Sequence, residues 1–82
     1  MLLTVSINNV KKGKAVLLSK SLPTDHGFGN TQPLPKDTKG YVLSDGFVAG
    51  SLIVEFNTYA FGRQRTKFNE LSAREYLVTD IY

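Results

Sequence analysis

The chain has 82 residues, a net charge of +3, one histidine and no cysteine. That length holds one domain, spanning 1–82, with a thin core, because so short a chain hides only roughly 60–65% of its unfolded surface. Disulfides and thiolate metal sites are excluded, and dimerisation is the remaining way to add buried area.

Residues 2–7 read as a first strand, with Leu3, Val5 and Ile7 alternating against Thr4 and Ser6. Asn8-Asn9 and Lys11-Lys12-Gly13-Lys14 then read as a basic turn in which Gly13 supplies a left-handed residue. The apolar run 15–18 follows, so the first 18 residues predict a β-hairpin with a lysine-rich tip.

Residues 19–40 contain all three prolines and keep neither a helical nor a strand period. They predict a long Pro/Gly-rich loop, and such loops in compact domains are usually functional or disordered. Within it Phe28 stands between two glycines and has little to pack on locally.

Residues 40–44 predict a strand and 44–46 a tight turn. The stretch 47–56 is interrupted by Gly50, and its second half, 51–56, predicts the central buried strand. Residues 59–65 read as an aromatic approach to a basic turn. The end of the chain admits two readings. Residues 72–77 fit a helix capped by Ser72 with Glu75 completing a capping box, while 76–82 are rich in β-branched and aromatic residues. A terminal strand after one helical turn is the favoured reading. The expected fold is therefore all-β: a five-stranded OB-like barrel or sandwich with a long loop at about 19–40 and a short C-terminal helical turn.

Catalytic machinery is hard to find. His26 has no cysteine to join it in an ordinary zinc site and reads as a solvated loop residue. Gly27-Phe28-Gly29 lacks the further glycine, lysine and helix of a phosphate loop. No serine or threonine stands in a nucleophile elbow. A non-enzymatic protein without cofactor or metal is expected. No apolar run approaches the roughly 20 residues of a membrane span. Residues 1–3 are apolar with no positive charge before them. A soluble cytoplasmic protein is expected.

The charge distribution points instead to binding. Residues 1–40 carry six lysines against Asp25 and Asp37, and Arg63, Arg65 and Lys67 add three cations without an acid. Tyr59, Phe61, Arg63, Arg65 and Lys67 occupy alternate positions, so an extended chain points them to one face. Rings that stack on bases beside cations that meet phosphates are what a sequence-tolerant single-stranded nucleic-acid binder requires. The intervening Ala60, Gly62, Gln64 and Thr66 offer no obvious core face. A bland reading competes: alternating aromatics often belong to a core, and a turn at Gly62 would break the register. Lys11, Lys12 and Lys14 form a second basic cluster, otherwise read as a soluble turn.

The start Met1-Leu2-Leu3-Thr4-Val5-Ser6-Ile7, the Lys/Gly turn after it, Val48-Ala49-Gly50-Ser51-Leu52-Ile53-Val54, and Phe61-Gly62-Arg63 together resemble the gene-five-type single-stranded-DNA-binding proteins of filamentous phages. The resemblance covers about half the chain and extends to overall length. It implies an OB-like barrel, a symmetric homodimer, cooperative coating of single-stranded DNA and a host-cell cytoplasmic location. The chain departs from the pattern at Val48, where a proline is expected, and in 19–40, which replaces a DNA-binding hairpin. Its acidic end at Tyr82 is a third departure. Of the family's binding residues only Arg63 is carried over. The alternative expectation is a small phage or mobile-element interaction module that contacts a host protein through 19–40, with Phe28 as its anchor.

Overall fold

The computed structural model describes residues 1–24, 32–59 and 62–80. Six strands and one helix follow in chain order: β1 (Leu2–Thr4), β2 (Ala15–Leu18), β3 (Lys39–Val42), β4 (Ser51–Thr58), β5 (Gly62–Asn69), α1 (Glu70–Tyr76) and β6 (Leu77–Asp80). They form one antiparallel sheet in the order β1-β6-β2-β3-β4-β5. The mostly-β expectation holds. The sheet has six strands where five were expected, and its ladder is open, with β1 and β5 as edges.

β4 and β5 make the longest pairing, from Ser51↔Asn69 to Thr58↔Gly62. Strict alternation explains it. Leu52, Val54 and Phe56 of β4 are buried, and so are Thr66 and Phe68 of β5. Their neighbours face outward, as a two-residue period dictates. The rings of Phe56 and Phe68 meet edge to face at 6.3 Å between centroids, a favoured aromatic geometry. β3 packs closely because Gly40 has no side chain. A Cβ there would lie 2.7 Å from Cδ1 of Phe56 and 2.9 Å from Cγ1 of Val54.

The expected hairpin of residues 2–18 does not form. β1 pairs with β6, and β6 separates it from β2. The local cause is Asn9. Its side chain accepts from the Ser6 amide at 2.7 Å and donates to the Thr4 carbonyl at 3.0 Å. The chain therefore bends directly after β1, and Ile7 ends 64% exposed instead of continuing the strand. Gly13 does take the left-handed conformation, at φ 87°.

The segment 19–40 is shorter as a loop than the sequence suggests. Leu22 and Leu34 pair in an antiparallel bridge and both are buried, and β3 already begins at Lys39. A second tight connection, 48–51, closes with reciprocal Val48–Ser51 backbone bonds of 2.8 and 3.0 Å. β4 therefore starts at Ser51, and the part of 47–56 before it is turn.

The two readings of the C-terminal region both contribute. A seven-residue helix forms and passes straight into β6. Its cap lies three residues earlier than expected. Asn69 is the N-cap, accepting from the Ser72 amide at 2.8 Å, and the Asn69 amide donates to Ser72 Oγ at 2.9 Å. Asparagine caps at least as well as serine, and this start places Ala73 in the core. At the other end Ser19 donates its amide to the Tyr76 carbonyl at 2.7 Å, and Lys20 pairs with Glu75 at 2.8 Å. That hydrogen bond to Glu75 raises the Lys20 pKa above its usual value.

Candidate nucleic-acid interface

β5 presents its cations together. Thr66 and Phe68 point into the core, so Arg63, Arg65 and Lys67 share the opposite, exposed face. Residues two apart on a strand repeat at about 6.7 Å. An extended polyanion can match such a row one charge at a time.

The same face continues across the sheet. Tyr41 of β3 pairs with Glu55 of β4, and Glu55 pairs with Arg65 of β5, so the three side chains form a line perpendicular to the strands. Tyr41 is 47% exposed, enough to offer a ring face. Lys39, two residues before it, holds its ammonium 5.4 Å from the centre of the Tyr41 ring, within cation–π range. One step along the register from Gly40↔Phe56, Lys39 lies opposite Asn57, which in turn pairs with Arg63. The face of β3–β5 thus holds Lys39, Arg63, Arg65 and Lys67 against one carboxylate.

That carboxylate is engaged by the cations. Glu55 lies 3.3 Å from Nε of Arg65 and 3.9 Å from Nε of Arg63. Both guanidinium side chains remain about three-quarters exposed. Exposed pairs of this kind contribute little stability, so the arrangement acts on the field of the face more than on folding.

The nine sequence-derived site residues fall into four groups. Arg63, Arg65 and Lys67 are brought together as expected. Tyr59 is fully exposed but stands before β5, because Thr58 pairs with Gly62 and the chain reverses between them. The continuous ribbon from Tyr59 to Lys67 is therefore interrupted by a hairpin. The intervening positions also differ from expectation: Thr66 is a core residue. Lys11, Lys12 and Lys14 surround a turn bonded to Val42, through Gly13 N–H to the Val42 carbonyl at 2.8 Å. That places the turn at the end of β3 away from Lys39 and Arg63, the same end as Lys67, whose partner Ile53 accepts from the Leu43 amide. Phe28, Phe61 and His26 lie outside the described residues.

Sequence reasoning missed Lys39, Tyr41 and Glu55. The signal was present in Lys39-Gly40-Tyr41-Val42, an out-in-out-in pattern disguised by a glycine in an inward position. Lys39 also lines a cleft of about 290 Å³ together with Leu2 of β1, Ala15, Val16 and Leu17 of β2, and Val78, Thr79 and Asp80 of β6.

Among the described residues no cluster of three or more His, Cys, Asp or Glu could hold a metal ion. No helix among them is long and apolar enough to cross a membrane. Comparison with protein-family models, with curated proteins and with solved structures finds no match to this chain.

Proposed function

We propose that the protein binds single-stranded nucleic acid, without catalysis and with little regard to sequence, on the outer face of β3–β5. The observation that carries this reading is the line Tyr41–Glu55–Arg65 with Arg63, Lys67 and Lys39 around it. Cations on one face neutralise phosphates, and an exposed ring in their midst stacks a base of any identity. Tyr59, fully exposed directly after β4, supplies a second ring at the end of the sheet where Arg63 pairs with Asn57. The reading is an OB-like use of a sheet face, and the resemblance to phage single-stranded-DNA-binding proteins leads to the same activity.

Salt-dependent binding of labelled oligo-dT, compared with a duplex of equal length, tests it. The single strand binds more tightly, and log affinity falls linearly with log salt. Replacing Arg63 and Arg65 together by alanine lowers that slope by about 1.4, the share of two phosphate contacts on a single strand. Absence of binding at low salt refutes the proposal. An unchanged slope in the double variant removes β5 from the site.

A further inference from the structure

The outer face of the sheet does not end at β3. Directly paired residues point to the same side, so rows of side chains run on across β2, β6 and β1. Leu17 pairs with both Lys39 and Val78, and Val78 pairs with Thr4. Tyr41 pairs with Ala15, and Leu2 with Asp80. The rows change character on the way. Over β3–β5 they carry Lys39, Arg63 and Arg65, whereas over β2 and β6 they carry Ala15, Leu17 and Val78, all half-buried. Ala15, with its single methyl, stands among longer neighbours, and the cleft of about 290 Å³ lies there.

Two charged side chains border the cleft, and they differ in what they offer an anion. Asp80 is held by the Met1 ammonium at 2.8 Å, so that rim carries a closed pair. Lys39 forms no ion pair among the described residues, and its ammonium lies 5.4 Å from the centre of the Tyr41 ring. Lys39 therefore stands between two apolar surfaces, the Tyr41 ring and the aliphatic floor of the cleft. Tyr41 and Ala15 pair directly, which puts their Cβ atoms about 4.5–5.5 Å apart. Strands spaced about 4.8 Å apart put the middle of the β2–β6 pair roughly 7 Å from the line of β3, one nucleotide step along an unstacked strand.

We propose that the cleft seats one nucleobase of the bound single strand, the neighbour of the base on Tyr41, with the phosphate between them on Lys39. The inference rests on the nucleic-acid reading and extends it past β3. A volume of about 290 Å³ lies at the small end of ligand pockets and suits one flat ring system. The aliphatic floor takes the apolar face of the ring out of water. It offers no hydrogen bond to the base edge, so the seat accepts any base, as stacking does. Lys39 meets the phosphate as a point charge. The closed Asp80–Met1 pair at the opposite rim offers nothing to a second phosphate, so the backbone stays on the Lys39 side and the base points across β2 toward β6.

Methyl NMR of the full chain titrated with oligo-dT tests it. The ring current of a seated base shifts the Ala15, Leu17 and Val78 methyl resonances, and the shifts saturate together with binding followed by anisotropy. Val78→Gln sets a long neutral side chain in the cleft and lowers oligo-dT affinity about fivefold or more. The salt slope stays unchanged, because no phosphate contact is lost. Val48→Gln, at an exposed apolar position in the 48–51 turn, keeps wild-type affinity. Circular dichroism checks that both variants are folded. Wild type that binds oligo-dT without moving those methyl resonances, or a folded Val78→Gln with full affinity, overturns the inference and leaves the nucleic-acid reading standing. Wild type that binds no oligo-dT overturns both. Methyl shifts produced by octanoate and not by oligo-dT give the cleft to a free amphiphile and also overturn the inference.

Discussion

Glu55 and Arg65 face each other across β4 and β5, with 3.3 Å between Oε2 and Nε. Glu55 also lies within 3.9 Å of Arg63, so a single carboxylate restrains two cations on the proposed binding face. Exposed pairs are worth about 0.2–1 kcal/mol each. Glu55→Gln releases both guanidinium groups to a polyanion and removes a charge that repels phosphate. Affinity for oligo-dT rises about twofold to tenfold at low salt, and the gain shrinks as salt is added. Fluorescence anisotropy titration at two salt concentrations checks both parts.

Tyr41 and the arginines are expected to act through different physics. Tyr41→Ala removes a stacking surface worth about 1–3 kcal/mol per base. It leaves the phosphate contacts in place, so affinity falls while the salt slope stays unchanged. Tyr41→Phe keeps the ring and most of the affinity. The same anisotropy titrations separate the two effects, and a Tyr41→Ala slope that drops in step with affinity contradicts the stacking role.

Thr66 is buried on the core face of β5 with its hydroxyl lacking a hydrogen-bond partner. Burying an unmatched hydroxyl costs about 1–3 kcal/mol. Thr66→Val is nearly isosteric and is expected to stabilise the fold by about 1 kcal/mol, raising the melting temperature by about 5 °C in a domain of this size. Oligonucleotide affinity is unchanged, because position 66 points away from the cation row. Thermal melting with binding controls tests this.

Gly40 occupies a position that no side chain can share. With Phe56 and Val54 atoms 2.7–2.9 Å from an added Cβ, Gly40→Ala forces ring or strand to shift. Overpacking of this kind costs about 1–3 kcal/mol. Because Lys39 and Tyr41 flank the glycine, binding weakens along with stability. Urea denaturation and oligonucleotide titration of the same variant measure the pair.

The sequence discloses what is local and hides what is not. The cations of β5 are legible because alternate positions need only an extended chain, and Gly13 is legible because a tight turn favours a left-handed residue. The pairing of Leu3 with Thr79 is not legible, since partners so distant in sequence meet only through packing of the whole sheet. Nothing at residues 2–18 warns that β6 will come between the two apolar runs. Tyr41 is concealed for another reason: it falls within the expected 40–44 strand, but a glycine gives no sign that its own position faces inward, where the Phe56 ring fills the space its missing side chain leaves. The helix start is obscured because β5 runs without interruption into its own capping residue, Asn69.

The place of β6 between β1 and β2 sets an order of events for a growing polypeptide. The hairpins β2–β3, β3–β4 and β4–β5 join neighbours in the sequence and can zip as they leave the ribosome. β1 has no neighbour until residues 77–80 are made. A nascent chain therefore carries its first strand unpaired until β6 is made, and non-local closures of this kind are slow and prone to aggregation. A product cut short before Leu77 keeps the cation row but leaves β1 without its β6 partner.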